Sequence, residues 1–301
     1  MHRSPWAQAR VYSTQNRIAV NECAGVVYHR RRFSRSLRVR HLSLLTVLLL
    51  AACATSPLGR HQLMLVSNSQ LESGAAAAFK EMQKKTPPTS DARTSAYVTC
   101  VADAITGAIP SLGLAASVPT KWQVVTFNDD KTVNAFAMPG GKIGVYTGLL
   151  KVATTPEQLA AVLGHEVSHV LAGHSAERYS EQMAASLGGA VVQASTGVSS
   201  DVIGMAANAF ILLPFSRTHE TEADLLGLDL MASAGFDPSQ AVVLWQNMAK
   251  ASGGKAPPEL LSTHPSDETR MDNLRKRLKH SQPLYEKARA AGRNPQCGSA
   301  S

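Results

Sequence analysis

Thr155-Pro-Glu-Gln-Leu-Ala-Ala-Val-Leu-Gly-His165-Glu166-Val-Ser-His169-Val-Leu-Ala-Gly-His174 is the stretch around which the chain is organised. It contains H-E-x-x-H. On a helix His165 and His169 stand at i, i+4, so both imidazoles leave one face. That spacing suits two nitrogen ligands on one tetrahedral zinc ion at about 2.0–2.1 Å each. Glu166 follows the first His and can reach a water beside the metal without ligating it. The helix is well signalled. Thr155 is the expected N-cap, Pro156 the first helical residue and Gln158 the capping-box partner. Leu159, Val162, Leu163, Val167, Val170 and Leu171 recur at helical spacing, which predicts a buried, rigid element.

Downstream, the helix expected over Ser216–Gly235 carries Glu220 and Asp224 at i, i+4, with Gly235 as its C′ residue. A catalytic zinc needs three protein ligands and an open position. The spacing H-E-x-x-H-x-x-G-x-x-H fails, because positions 172 and 175 are Ala and Ser. A downstream carboxylate is the other solution. Glu220 would complete a His₂Glu set, and Asp224 would accept the free N–H of a ligand His. Glu222 is expected to point elsewhere on the helix. His174 is expected to support the site or the core rather than ligate, and His219 and His280 are read as surface residues.

Upstream, Trp122–Phe127 alternates like a strand. Asn134–Met138 and Lys142–Tyr146 flank Pro139-Gly140-Gly141 and read as a hairpin. Such a small antiparallel sheet either caps the core or offers its edge, Asn134, Ala135, Phe136 and Ala137, to an extended peptide. Two helices are expected near 68–85 and 90–109, separated by the loop Lys84–Asp91. The stretch 181–213, rich in Ala, Gly, Ser and Val, reads as two helices or a helix and a mobile loop. Residues 253–258 read as a loop before a charged helix over 266–280. The expected class is α+β, mostly helical.

Of 301 residues 44% are hydrophobic, enough for one large domain or two small ones. The net charge of +8 lies wholly in residues 1–52, which hold nine Arg and one Glu. From Cys53 onward basic and acidic residues balance, which argues against nucleic acid as a partner. The basic block Arg30–Arg40, the apolar run Leu42–Ala52 and then Cys53 read as a secretory signal peptide. The run is too short for a membrane span. Leu50-Ala51-Ala52-Cys53 resembles the bacterial lipobox, which implies cleavage before Cys53, lipidation of its thiol and a lipid-anchored protein on the periplasmic side. Ala54 after Cys53 resembles the outer-membrane pattern. In an oxidising periplasm the leftover thiols of Cys100 and Cys297 are expected to pair, tying the tail to an early helix. The expected parts are a leader over 1–52, a tether over 53–62, a metallopeptidase domain over 63–280 and a tail over 281–301.

His165-Glu166-x-x-His169 followed by Ser216-Arg217-x-x-Glu220-x-x-Ala223-Asp224 resembles the CAAX prenyl protease and HtpX-type zinc metallopeptidases (metallopeptidase family forty-eight, gluzincins), from about Leu63 to Leu278. The leader suggests a periplasmic lipoprotein branch of that family. The resemblance implies a zincin-like domain with one zinc ion per chain, Glu220 as third ligand and Asp224 supporting a ligand His. Asn134-Ala-Phe-Ala-Met-Pro-Gly-Gly matches the family's strand before the zinc helix. His264 and Arg270 resemble a His…Arg pair near the catalytic centre. Either would donate to the oxyanion, or His264 would take the fourth position on zinc in a resting enzyme. The chain ends before the long helical-repeat region of one relative in that branch, so no large scaffolding role is expected. The implied reaction is hydrolysis of misfolded or envelope proteins by zinc-activated water with Glu166 as general base. An envelope chaperone with a gated zinc site is the alternative. The intact Glu166 favours the enzyme.

Overall fold

A computed structural model describes residues 53–114, 119–196, 215–252 and 268–299, with 260, 262 and 264. The signal peptide read over 1–52, the end of the Ala/Gly-rich stretch over 197–213, the loop 253–258 and Pro265 lie outside the described residues. The chain divides into Met1–Ala54 and Thr55–Ser301, and the second unit holds all that follows.

A short strand β1 (His61–Leu63) precedes α1 (Asn68–Lys85) and α2 (Ala92–Gly107). Strands β2 (Gln123–Phe127), β3 (Ala135–Met138) and β4 (Lys142–Tyr146) follow, then α3 (Pro156–Leu171), α4 (His174–Thr196), α5 (Arg217–Ser233), α6 (Gln240–Ser252) and α7 (Glu268–Ala290). The class is α+β and mostly helical. Among the described residues no helix is long and apolar enough to cross a membrane.

Helix starts follow the local chemistry. Ser67 and Gln70 form a reciprocal capping box on α1, Asp91 caps α2 and Ser216 caps α5. On α3 the Thr155 hydroxyl accepts from the Gln158 N–H, and Pro156 occupies the first turn. The Gln158 side chain accepts from the Thr154 N–H, one residue before the cap.

The sheet corrects the expectation of a purely antiparallel one. β3 and β4 form the hairpin, with Gly140 and Gly141 at φ of 78° and 71° in its turn. β2 pairs with β4 in parallel, Gln123 opposite Lys142 and Phe127 opposite Tyr146. The chain leaves β2 through an Asp129 turn, whose carboxylate accepts from Lys131, Thr132 N–H and the Thr132 hydroxyl. It then lays β3 on the far edge before β4 returns between them, giving the order β2-β4-β3. Gly144 of the central strand makes room for this. A Cβ there would lie 2.3 Å from the Phe136 ring and 2.8 Å from the Phe127 ring. Those rings, with Phe79 of α1 and Tyr146, form an aromatic cluster on one face of the sheet.

The core lies on the other side, around α3, which is buried almost throughout. Val98, Val101 and Ile105 of α2, Ile143 and Val145 of β4, Leu159, Leu163 and Val167 of α3, Leu228 and Met231 of α5, and Leu244 of α6 make one cluster. The closest approach is between α3 and α5. A Cβ on Gly227 would lie 2.8 Å from Gly164 C and His165 N, and one on Gly164 would lie 2.8 Å from Gly227 O. Two glycines thus let the helix of His165 and His169 lie backbone to backbone against the helix of Glu220 and Asp224.

Segments expected to be loose are held. Arg60 and Gln62, within the stretch read as a tether, bond to α4 and to the end of α3. Cys100 and Cys297 are joined by a disulfide. The tail also docks through Arg293, which donates to the Ser233 carbonyl at 2.7 Å and lies against Gly235, where φ is 93°.

Candidate metal centre

Four buried side chains from three places in the chain converge: His165 and His169 of α3, Glu220 of α5, and His264. His165 Nε2 and His169 Nε2 are 3.1 Å apart. Each is 3.4 Å from an oxygen of Glu220. His264 Nδ1 is 2.8 Å from Glu220 Oε1 and 3.1 Å from His165 Nε2. Ligands 2.0–2.1 Å from a tetrahedral metal stand about 3.3–3.4 Å from one another. Donor atoms at nearly that separation fit a zinc ion, which His165, His169 and Glu220 would hold with His264 Nδ1 as a fourth donor.

The electrostatics favour a cation there. Burial would raise the Glu220 carboxyl, but hydrogen bonds from His165, His169 and His264 pull it far below its usual range, so it stays a carboxylate. Burial lowers His169 well below its ordinary value, leaving a neutral imidazole fit to ligate. At His165 burial also lowers the pKa, but Asp224 and Glu220 outweigh it and hold the ring up at about 9. A bound metal would supply the positive charge that the proton otherwise brings.

Each ligand His is braced from behind. Asp224 Oδ1 is 3.0 Å from His165 Nδ1, and Arg270 donates to both Asp224 oxygens at 2.6 and 2.7 Å. Arg270 also stacks on Trp245, 3.7 Å from its ring centre, and lies 3.1 Å from Glu220 Oε2. Arg270 thus holds Asp224 and lies against Glu220, and it is not among the residues lining the cavity described below. His174 Nδ1 is 2.8 Å from His169 Nδ1, and its Nε2 is 3.2 Å from Glu222 Oε2.

His219 corrects a second expectation. It is buried, not at the surface, with Nε2 3.1 Å from Glu177 and its ring stacked on His174. His280 is exposed, 3.5 Å from Asp229. Phe215 stacks on His169 at 4.0 Å and Trp245 lies under Arg270; in the sequence only their places beside Ser216 and on the next helix mark them. Arg60 and Glu177 carried no local signal at all.

Glu166 is buried and its Oε1 has no hydrogen-bond partner. Burial raises its carboxyl, although His264 and His165 pull the other way. It opens, with His169 and His264, into a cavity of about 510 Å³. The walls are Asn134 and, in β3, Ala135, Phe136 and Ala137, then Leu71, Ala75 and Met82 of α1, Tyr179 of α4, and Phe215. β3 is one of the two edge strands of its sheet.

A helix-borne H-E-x-x-H, a carboxylate from a second helix and a buried Glu lining a cavity beside an edge strand define a zincin-type metallopeptidase domain. The chain belongs to Peptidase family M48, whose profile its residues 98–278 match. It is similar to mitochondrial metalloendopeptidase OMA1 of Schizosaccharomyces pombe, 42% identical over 164 residues, 54% of this chain and 48% of the relative. OMA1 of Saccharomyces cerevisiae is 36% identical over 174 residues, 56% of this chain and 50% of the relative. The beta-barrel assembly-enhancing protease of Escherichia coli is 32% identical over 196 residues, 60% of this chain and 40% of the relative. The chain therefore spans half or less of the length of these relatives.

Proposed function

We propose that this chain is a zinc-dependent endopeptidase of the bacterial cell envelope that cuts unfolded or misfolded proteins. The observation that carries the reading is the placement of Glu166. The residue lines, beside the convergent donors of His165, His169 and Glu220, an apolar cavity along an edge strand, and its buried Oε1 has no hydrogen bond, with His264 Nε2 3.4 Å away. Zinc held by those three residues would polarise the scissile carbonyl and make the attacking water more acidic. Glu166 takes the proton from that water as it attacks and returns it to the leaving amine. Its raised pKa suits both halves of that task. β3 offers backbone groups to an extended peptide, and Phe136, Met82 and Phe215 offer an apolar wall to its side chains. Unfolded chains present both features, which folded proteins hide.

The envelope location is supported by the basic and apolar leader and by Cys53, whose lipidation would anchor the chain, on the outer membrane by the Ala54 criterion. The name of the Escherichia coli relative, a beta-barrel assembly-enhancing protease, is in keeping with that place, whereas OMA1 is named as mitochondrial. Casein digestion by the purified chain, with and without a zinc chelator, tests the activity. Cleavage should need zinc, and Glu166→Gln should lower it by roughly 10²–10⁴-fold while keeping zinc and fold. Equal cleavage by that variant would sink the mechanism.

A second reading is favoured by one observation. His264 Nδ1 is 2.8 Å from Glu220 Oε1, where it would take a fourth place on zinc, and its Nε2 is 3.4 Å from Glu166 Oε1, so it lies over both the candidate metal site and the base. The resting site is then gated, and a gated site also suits a binding or assembly role. His264→Ala should raise casein cleavage in a gated enzyme. A fall in that variant would show that His264 serves the reaction directly.

A further inference from the structure

The two ligand histidines are braced by different routes. His165 leans on Asp224, which Arg270 grips. His169 leans on His174, His174 on Glu222, and Glu222 accepts from Arg60 Nε at 2.9 Å. Both routes end on a carboxylate held by an arginine. The second arginine comes from the extreme N-terminal part of the domain, 162 residues before Glu222.

The hydrogens follow from one choice. If His169 binds metal through Nε2, its Nδ1 carries the proton and donates to His174 Nδ1. His174 then carries its proton on Nε2 and donates to Glu222. Every donor meets an acceptor in one direction only, which fixes both rings. Arg60 also donates to both oxygens of Glu177, at 2.5 and 2.6 Å, so its position is set before it reaches Glu222. Its neighbours fasten the same corner. Gln62 donates to the Ala172 carbonyl at 2.7 Å and to Glu177 at 2.8 Å, and Asn68 donates to the Val170 carbonyl at 2.9 Å. The Ala172 carbonyl belongs to the C-cap of α3, past the last intrahelical donors, and the Val170 carbonyl of the last turn also accepts from the Gly173 N–H.

We propose that Arg60, Glu222 and His174 are positioning residues for the metal. The segment Ser56–Asn68 is thus an arm of the metal centre, clamping the end of α3 and orienting His169 through a directed chain of hydrogen bonds. The arm has this purpose only if His169 is a metal ligand, so it rests on the zinc-peptidase reading.

The test is zinc affinity, by competition with a chromophoric chelator, and the visible absorption of the cobalt-substituted protein, both on full chains verified as folded. Arg60→Ala and Glu222→Ala should each weaken zinc by roughly 10–100-fold and alter the cobalt spectrum. Glu222→Gln keeps an acceptor oxygen for His174 and should restore most of both. Arg277→Ala removes an ion pair to Asp229 far from the arm. It should lower thermal stability and leave affinity and spectrum unchanged. Should an alanine variant fail to fold, Arg60→Lys decides. Lysine keeps the charge but cannot hold both carboxylates, so several-fold weaker zinc is expected. Wild-type affinity and spectrum in the folded variants overturn the arm. Failure of the wild-type chain to bind zinc overturns the zinc reading instead.

Discussion

At the scale of single residues, what could be read in advance was what repeats along a helix. His165, His169, Glu220 and Asp224 stand at i, i+4 on two helices, and that spacing alone puts each pair on one face. Arg60, Glu177 and His219 could not be read. Arg60 meets Glu177 across 117 residues, and nothing local marks either as buried. Their chemistry gives a pH dependence. Burial would raise the Glu177 carboxyl, but hydrogen bonds from Arg60, His219 and Gln62 outweigh it and hold it at about 2. Its pKa in the folded state is therefore depressed below the usual carboxylate value of about 4.3. The stability it contributes is full above that value and drains away as pH falls toward 2. Thermal melts of wild type should lose stability more steeply between those limits than melts of Glu177→Gln. Parallel curves would show that Arg60 does not favour the charged form.

Among elements, the decisive contact is the glycine pair between α3 and α5. Glycine inside a helix costs about 1 kcal/mol relative to alanine, so replacement normally stabilises. At Gly74 of α1 nothing lies within 4 Å of an added Cβ, and Gly74→Ala should stabilise by up to about 1 kcal/mol. At Gly227 the added Cβ would press on Gly164 and His165 N at 2.8 Å. Overpacking of about 1–3 kcal/mol outweighs the propensity there. Gly227→Ala should be less stable and should bind zinc more weakly, because Glu220 moves away with α5. Denaturant melts and chelator competition check the two signs. The sequence showed that these helices exist but not that they touch, since a glycine reads the same whether it is crowded or open. The sheet was legible to the same degree. Pro139-Gly140-Gly141 announced the hairpin, whereas the parallel pairing of β2 with β4 depends on a crossover that no local pattern encodes.

In the whole molecule the Cys100–Cys297 disulfide spans a sequence separation of 197. A loop that long, on the chain-entropy account, stabilises by about 5 kcal/mol by restricting the unfolded chain. The bond also divides the molecule topologically. Everything between the two cysteines, with both catalytic helices, lies on one covalent ring, while Arg60 and α1 lie on a branch outside it. A single cut in the ring opens it but releases nothing; a single cut in the branch sheds a fragment at once. Limited trypsin digests run side by side on reducing and non-reducing gels will therefore sort every nick by place. A single ring nick appears only with reductant, and a singly nicked ring that separates without it would show that the bond is not formed. For a protease that also nicks itself, the apparent mass of a non-reduced band would report the arm and stay blind to damage at the active site.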